Sequence, residues 1–332
     1  MLAGELPGPL PVVDGSPRLG TSLRPGEAAT LSYAVEARRG VHAFEPVTVL
    51  ARDLAGSVAE SRRVPVETTL RCVPTPRATT APLPLRTAAT QYTGRVRTPS
   101  GGEGVEFHAT RAYQPGDPMG RIDWNRRART GELATLEFRE ERAATVVVVV
   151  DARSSCYVAH EPNVPHAVDR SVEAAARAVE TLLAAGDRVG VAAFGTDCWL
   201  PPGTGRSHRI RARELLATDP AFASTPPSGP PPTGWPGRLE RRIPPTAQLL
   251  VWSPLTDAFA ARFLRTLDAG GHPASVVSPD PTVRTPPGPL LATVARGLRI
   301  TDLRGAGVPV VDWAPGQSLD AALATAAGGR SP

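Results

Sequence analysis

The sequence has no lysine: all 37 basic residues in its 332 positions are arginine. That set suits phosphate or carboxylate binding, but the arginines do not collect into one tract, and GC-rich coding accounts for the bias. Cysteine is nearly as scarce. Cys72, Cys156 and Cys198 are far apart and odd in number, which excludes a disulfide framework and a C-x-x-C zinc or redox motif and implies a reducing compartment. No apolar run approaches the ~18 residues of a membrane helix, and Met1 to Glu5 lacks the charged start and apolar stretch of a signal peptide. The six histidines show no H-x-x-x-H spacing and no Ser or Cys partner that would make a nucleophilic pair. Neither Gly186-Asp-Arg-Val-Gly190 nor Gly203-Thr-Gly205 is a phosphate loop, so ATP binding is not expected. Net charge of +5 permits weak attraction to nucleic acid or anionic lipid, but no RNA-binding aromatic pattern, zinc finger or helix-turn-helix signature supports it.

What is present falls into four stretches. Residues 1–75 alternate apolar and polar positions between turns, with short strands at Thr30–Val35, Val47–Ala51 and Thr68–Val73. They predict a small β-sandwich. Residues 76–103, rich in Pro, Thr and Ala, read as a linker, and 104–143 are crowded with Arg, Asp, Tyr and Trp. From 144 to 329 strands and helices alternate: helices over Ala167–Ala185, Ser207–Ala217, Ala258–Ala269 and Ser318–Ala327, and strands over Asp187–Phe194, Ala247–Trp252, Ala274–Val277 and Val308–Asp312. That rhythm predicts βαβ units, a mostly parallel sheet and helices on both faces. The Pro-rich segment 224–245 interrupts it and reads as an exposed loop. The length allows two domains, each with a core of its own.

The run Thr145-Val-Val-Val-Val-Val150 is β-branched and too short to span a membrane. It predicts a strand buried on both faces. Asp151 then falls at its carboxyl end, where open α/β sheets place ligand sites.

The signature Arg111-x-Tyr113-x-Pro115-Gly116-Asp117, then Arg121-Ile-x-Trp124 and Ala128-Arg129, followed by the apolar strand and Asp151, resembles the domain-of-unknown-function-58 family. The carboxyl half of that family is similar to a von Willebrand factor A domain, and the resemblance runs from about Val12 to Pro279. It implies an α/β, von Willebrand A-like (Rossmann-like) sheet preceded by a small β-sandwich. Relatives carry membrane helices ahead of the β-rich region; none stands here, so the expectation is a cytoplasmic chain, membrane-associated through partners or shortened at its start.

The resemblance also implies a metal loop of the form Asp-x-Ser-x-Ser, with a Thr and an Asp from two further loops. Such hard oxygen donors suit Mg²⁺. Here Asp151 and Ser155 remain, but Arg153 stands where the first Ser belongs, and a guanidinium has no lone pair for a metal. Pro254 stands where the third loop shows Asp, leaving the displaced Asp257, and the threonine is left to Thr225 or Thr233. The expected metal set, Asp151, Ser155 and Asp257, is therefore degenerate, and no cofactor is expected. Two readings stand for Arg153: a built-in cation paired with Asp151, or a side chain in solvent.

Arg111, Tyr113, Pro115, Gly116, Asp117, Arg121, Trp124 and Arg129 read as a structural lattice between domains, with docking as the other reading. Cys156 lacks a Cys-x5-Arg loop and reads as a buried small residue. The function expected is a non-catalytic, protein-binding adaptor whose rim is Asp151, Arg153, Ser154, Ser155 and Asp257. The resemblance implies a MoxR-type AAA+ ATPase as its partner. The rivals are a metal-assisted hydrolase using Asp151 and Asp257, and an arginine-rich nucleic-acid-binding module.

Overall fold

The computed structural model describes residues 2–3, 10–36, 39–53, 55, 57–86, 106–114, 119–139, 143–161, 164–282 and 289–329. The amino-terminal strands are β1 (Leu2–Ala3), β2 (Val12–Gly15), β3 (Arg18–Leu19), β4 (Tyr33–Val35), β5 (Gly40–Ala43), β6 (Val47–Arg52), β7 (Ala59–Val64) and β8 (Thr69–Cys72). They pair antiparallel, as a four-stranded sheet ordered β3-β1-β6-β7 and two ladders, β2-β4 and β5-β8. Next come β9 (Glu106–Ala112), α1 (Trp124–Thr130) and β10 (Ala134–Arg139), with β9 and β10 pairing antiparallel.

The remaining elements are β11 (Thr145–Asp151), α2 (Ala167–Ala184), β12 (Arg188–Phe194), β13 (Trp199–Gly203), α3 (Gly205–Thr218), α4 (Trp235–Arg242), β14 (Gln248–Trp252), α5 (Ala258–Ala269), β15 (Ala274–Pro279), α6 (Pro289–Gly305), β16 (Val310–Trp313) and α7 (Leu319–Gly328). Six strands form one sheet in the order β13-β12-β11-β14-β15-β16, parallel except for the β13 edge. That is a doubly wound order, and its direction reverses between β11 and β14. Val146, Val148 and Val150 pack on one face with α2, α3 and α7. Val147 and Val149 pack on the other with α4, α5 and α6. All five are fully buried, as expected of a strand covered by helices on both sides.

The structure corrects two expectations. Segment 224–245 is not simply a loop: it contains α4, whose Trp235 and Leu239 enter the core, because an apolar pair four residues apart shares one helical face. Helix α6 lies where none was expected, since its buried stripe, Arg296, Ile300 and Leu303, begins with an arginine while Leu290, Leu291, Val294 and Leu298 stay exposed. The antiparallel amino-terminal strands agree with the expected β-rich module; among the described residues it shows no apolar cluster of its own. Up to residue 75, Leu10 is the one buried apolar side chain among the described residues. Its strands are short, and β7, with Glu60, Arg62 and Arg63 among its six residues, is exposed throughout.

Polar contacts therefore carry much of the attachment of this module. Arg39 bonds Asp169 and the Phe222 carbonyl, and Arg71 pairs with Glu214. Residues 79–86 dock on the α/β domain. The Thr79 amide donates to Thr181 Oγ1 at 2.9 Å, its hydroxyl to Asp320 Oδ1 at 2.5 Å, and Ala81, Leu83 and Leu85 pack on the core. A cleft of about 580 Å³ opens beside Arg39, Asp169 and Arg177. Among the described residues no helix is long and apolar enough to cross a membrane.

Candidate functional site

Asp151 ends β11, the strand on one side of the reversal point, and its side chain is completely buried. A buried carboxylate needs a partner, because desolvation of an unpaired ion costs several kcal/mol. Arg153 supplies it two residues later, from the loop that leaves the strand. Its Nε and Nη2 each donate to one Asp151 oxygen at 2.8 Å, a bidentate, charge-assisted pair. The remaining arm, Nη1, donates to Asp257 at 2.9 Å and 3.1 Å.

The second loop comes from β14 across the reversal. Ser253 Oγ donates to Asp151 Oδ2 at 2.8 Å and accepts from the Leu255 amide at 3.2 Å. Leu255, fully buried, has φ of 54°, a conformation that an L side chain adopts only when its surroundings hold it there. Helix α6 does the holding: Arg296 Nε donates to the Pro254 carbonyl at 3.1 Å and Arg299 Nη1 to the Leu255 carbonyl at 2.9 Å. This turn delivers Asp257 to the start of α5, where its carboxylate caps the Phe259 amide at 3.0 Å and accepts from Ser155 Oγ at 2.8 Å.

The third wall is aromatic. The Arg153 guanidinium carbon lies 4.7 Å from the Phe259 ring centre, within cation–π range. Phe259 packs in turn on Trp235 and Phe263. On the far side Gly195, after β12, has φ of 82°, and a Cβ there would stand 2.6 Å from Arg153 Cγ. Only glycine fits both the backbone and the gap.

Burial of Arg153 works against its charge, but the hydrogen bonds and charge of Asp151, with Asp257 adding, raise its pKa above the ordinary guanidinium value. Burial likewise opposes the charge of Asp257. The Ser155 hydroxyl, Arg153 and the Phe259 amide outweigh it and hold the carboxyl below its usual range. Both groups are ionised at neutral pH. Burial, followed by the Asp151 charge, pushes the Cys156 thiol up; Sγ is sealed under the loop 3.8 Å from Thr256 Oγ1, and a thiol in that state is a poor nucleophile. Burial also pushes the Cys198 thiol up, to about 12.

The structure thus brings Asp151, Arg153, Ser155 and Asp257 into one hydrogen-bonded unit, with Ser154 exposed on its rim. Thr225 and Thr233 are exposed, and neither is a partner of Asp151 or Asp257. The donor set does not fit a divalent ion. Mg²⁺ wants six oxygens at about 2.0–2.1 Å, whereas both Asp151 oxygens and both Asp257 oxygens already accept from one guanidinium. Sequence reasoning missed Ser253, Gly195, Phe259, Arg296 and Arg299. Gly195 carried a signal as a glycine ending a buried strand; the others carried none.

The signature residues form a separate unit. The Asp123 side chain caps α1 through the Arg126 amide at 3.0 Å, and Gly131 ends the helix with φ of 76°. Ile122 is buried and bridges to Thr135. Arg111 sits in β9 opposite Thr135, the amide of half-buried Tyr113 donates to the Leu133 carbonyl at 3.0 Å, and Arg121 closes a short 3₁₀ turn. Helix α1 buries none of its residues. Arg129 is exposed, and Trp124, half exposed, lies under Arg127. Pro115, Gly116 and Asp117 lie outside the described residues. Among the described residues, no bond around Asp151 and Asp257 involves a signature residue.

Fold and site together define an α/β protein with a doubly wound, mostly parallel sheet in which the strand-end aspartate is closed by arginine. Residues 109–229 match the family described as "Protein of unknown function DUF58", in agreement with the resemblance carried by the signature. The crystal structure of the conserved hypothetical protein BatB from Bacteroides thetaiotaomicron is similar at 15% identity, covering 56% of this chain and 96% of that one, with a TM-score of 0.34. That likeness is too slight to argue from. No curated protein matches the chain.

Proposed function

We propose that the chain is a non-catalytic adaptor that binds protein through the loop face at the carboxyl end of its sheet. The observation that carries this reading is the contrast between floor and rim. The floor, Asp151 with Arg153 and Ser253, is satisfied and closed, while Ser154 and Ser155 are exposed and Asp257 keeps 37% of its side chain open. No activated nucleophile stands among these residues, and the nearest thiol is sealed. A convergent set of polar groups at a topological reversal suits recognition. Fold alone does not dictate what is recognised.

The partner we propose is a MoxR-type AAA+ ATPase acting in remodelling or maturation of other proteins, an assignment that rests on the family resemblance. A cytoplasmic location, at a membrane through that partner, belongs to the same reading. The test is a pull-down from native lysate, comparing wild type with the Asp151→Ala/Arg153→Ala double variant, which removes both charges of the floor together. Capture of an AAA+ ATPase by wild type and its loss in the double variant is the expected result. Absence of any ATPase with wild type overturns the assignment.

A further inference from the structure

We infer that Arg153 is the resident cation of this site: a permanent, covalently held positive charge in the position where a divalent ion would bridge Asp151 and Asp257. A side chain that merely projected into solvent would need none of the features that surround it. Instead, the two prongs Nε and Nη2 meet the two Asp151 oxygens, and Nη1 meets Asp257. The guanidinium lies against the Phe259 ring, and the stem passes through a gap that exists because residue 195 is glycine. The turn at Leu255, which sets both Ser253 and Asp257, is held by two further arginines from α6.

The chemistry differs from that of a bound ion in two ways. An arginine cannot dissociate and does not titrate in the physiological range, so the site has the same charge at any metal concentration. It also has no open coordination position. Two carboxylates share one guanidinium, so the cluster keeps an uncompensated negative charge, and its exposed acid is Asp257. An incoming partner therefore meets a carboxylate and two serine hydroxyls, with no metal to accept a carboxylate of its own.

This inference goes beyond the adaptor reading, because it concerns the isolated chain whatever docks on it. The test uses no partner, so the two fail separately. Arg153→Ser leaves Asp151, Ser155 and Asp257 as oxygen donors and frees the guanidinium's volume for an ion and its waters. Titrated with MgCl₂ in a calorimeter, this variant is expected to bind with a Kd of about 1 mM or tighter, as weak oxygen-ligand sites do. Its Tm is expected to rise by about 5 °C in about 10 mM MgCl₂, while wild type moves by less than about 1 °C in MgCl₂ or EDTA. Adding Asp151→Asn to Arg153→Ser should abolish the response. Should the serine variant fail to fold, Arg153→Gln removes the charge while keeping part of the stem, and the same Mg²⁺ binding is expected of it. A wild-type Tm that follows Mg²⁺ or EDTA, or Arg153 variants blind to Mg²⁺, overturns the inference.

Discussion

Two arginines sit at the carboxyl edge of the same sheet, and they are used in different ways. Arg296 comes from α6 and is 5% exposed. Its partners are the carbonyls of Pro254 and Ser278, the Ser278 hydroxyl and Asp312, with Asp280 at 3.7 Å. These are mostly neutral groups of three neighbouring strand ends, so the guanidinium acts as a clamp between backbones. Among the described residues the Arg153 guanidinium bonds only carboxylates and lies on an aromatic face, and one of its carboxylates opens to solvent. The first arrangement holds a loop in place, and the second presents one. The comparison teaches that a buried guanidinium is read by its acceptors: carbonyls mark a brace, while converging carboxylates mark a cation site.

The largest effect expected is from Arg296→Met. It leaves buried carbonyls and a buried Asp280 without their cation, at a cost of about 3–5 kcal/mol, measurable by urea denaturation. Mg²⁺ should not restore it, in contrast with Arg153→Ser. A loss under about 1 kcal/mol, or rescue by Mg²⁺, would break the distinction.

Gly195→Ala tests the Arg153 side of the comparison through the backbone. The left-handed φ and the 2.6 Å contact with Arg153 Cγ act together, so a loss of about 1–3 kcal/mol is expected. It should shrink sharply in an Arg153→Ser background, because the clash is then gone; additive losses would show that the φ alone matters.

A smaller effect is expected on the acid limb of stability. Asp257 has its folded pKa below the unfolded value. Its stabilisation is therefore fully present above the unfolded carboxylate range and is lost as pH falls through the folded pKa. Asp257→Asn should flatten that part of the stability curve between about pH 5 and pH 2 and leave the slope near neutrality unchanged. A steeper acid limb in the variant would contradict the assignment. Asp320 contributes in the same direction, held low by the Thr79 hydroxyl and Arg177, and supplies a control away from the site.

The smallest expected change is from Asp312→Asn. That carboxylate is half exposed and shares Arg296 with several neutral acceptors, so its loss should stay within about 1 kcal/mol. A large loss would mean that Arg296 depends on its acid as Arg153 does.

Much of this architecture could be read along the chain. The valine run announced a strand covered on both faces, its aspartate fell at the reversal point, and α5 begins and ends where its apolar spacing placed it. The pairing of Arg153 with Asp151 was one of two readings open from sequence. Helix α6 was hidden for a physical reason: it turns Arg296 inward and leaves Leu290, Leu291, Val294 and Leu298 exposed, the reverse of the pattern by which amphipathic helices are recognised. The sparse burial of the described amino-terminal residues was hidden too, because alternation of apolar and polar residues marks a strand without saying that anything covers it.

By itself the sequence determined the doubly wound domain, since period-2 and period-3.6 apolar patterns are local properties of the chain. It also determined that Asp151 would end a buried strand. Only the tertiary structure decided what neutralises that aspartate. The answer depends on three loops more than forty residues apart in sequence, on the absence of a Cβ at Gly195, and on a turn at Leu255 held by arginines from another helix. Such contacts exist only after the sheet has brought its strand ends together.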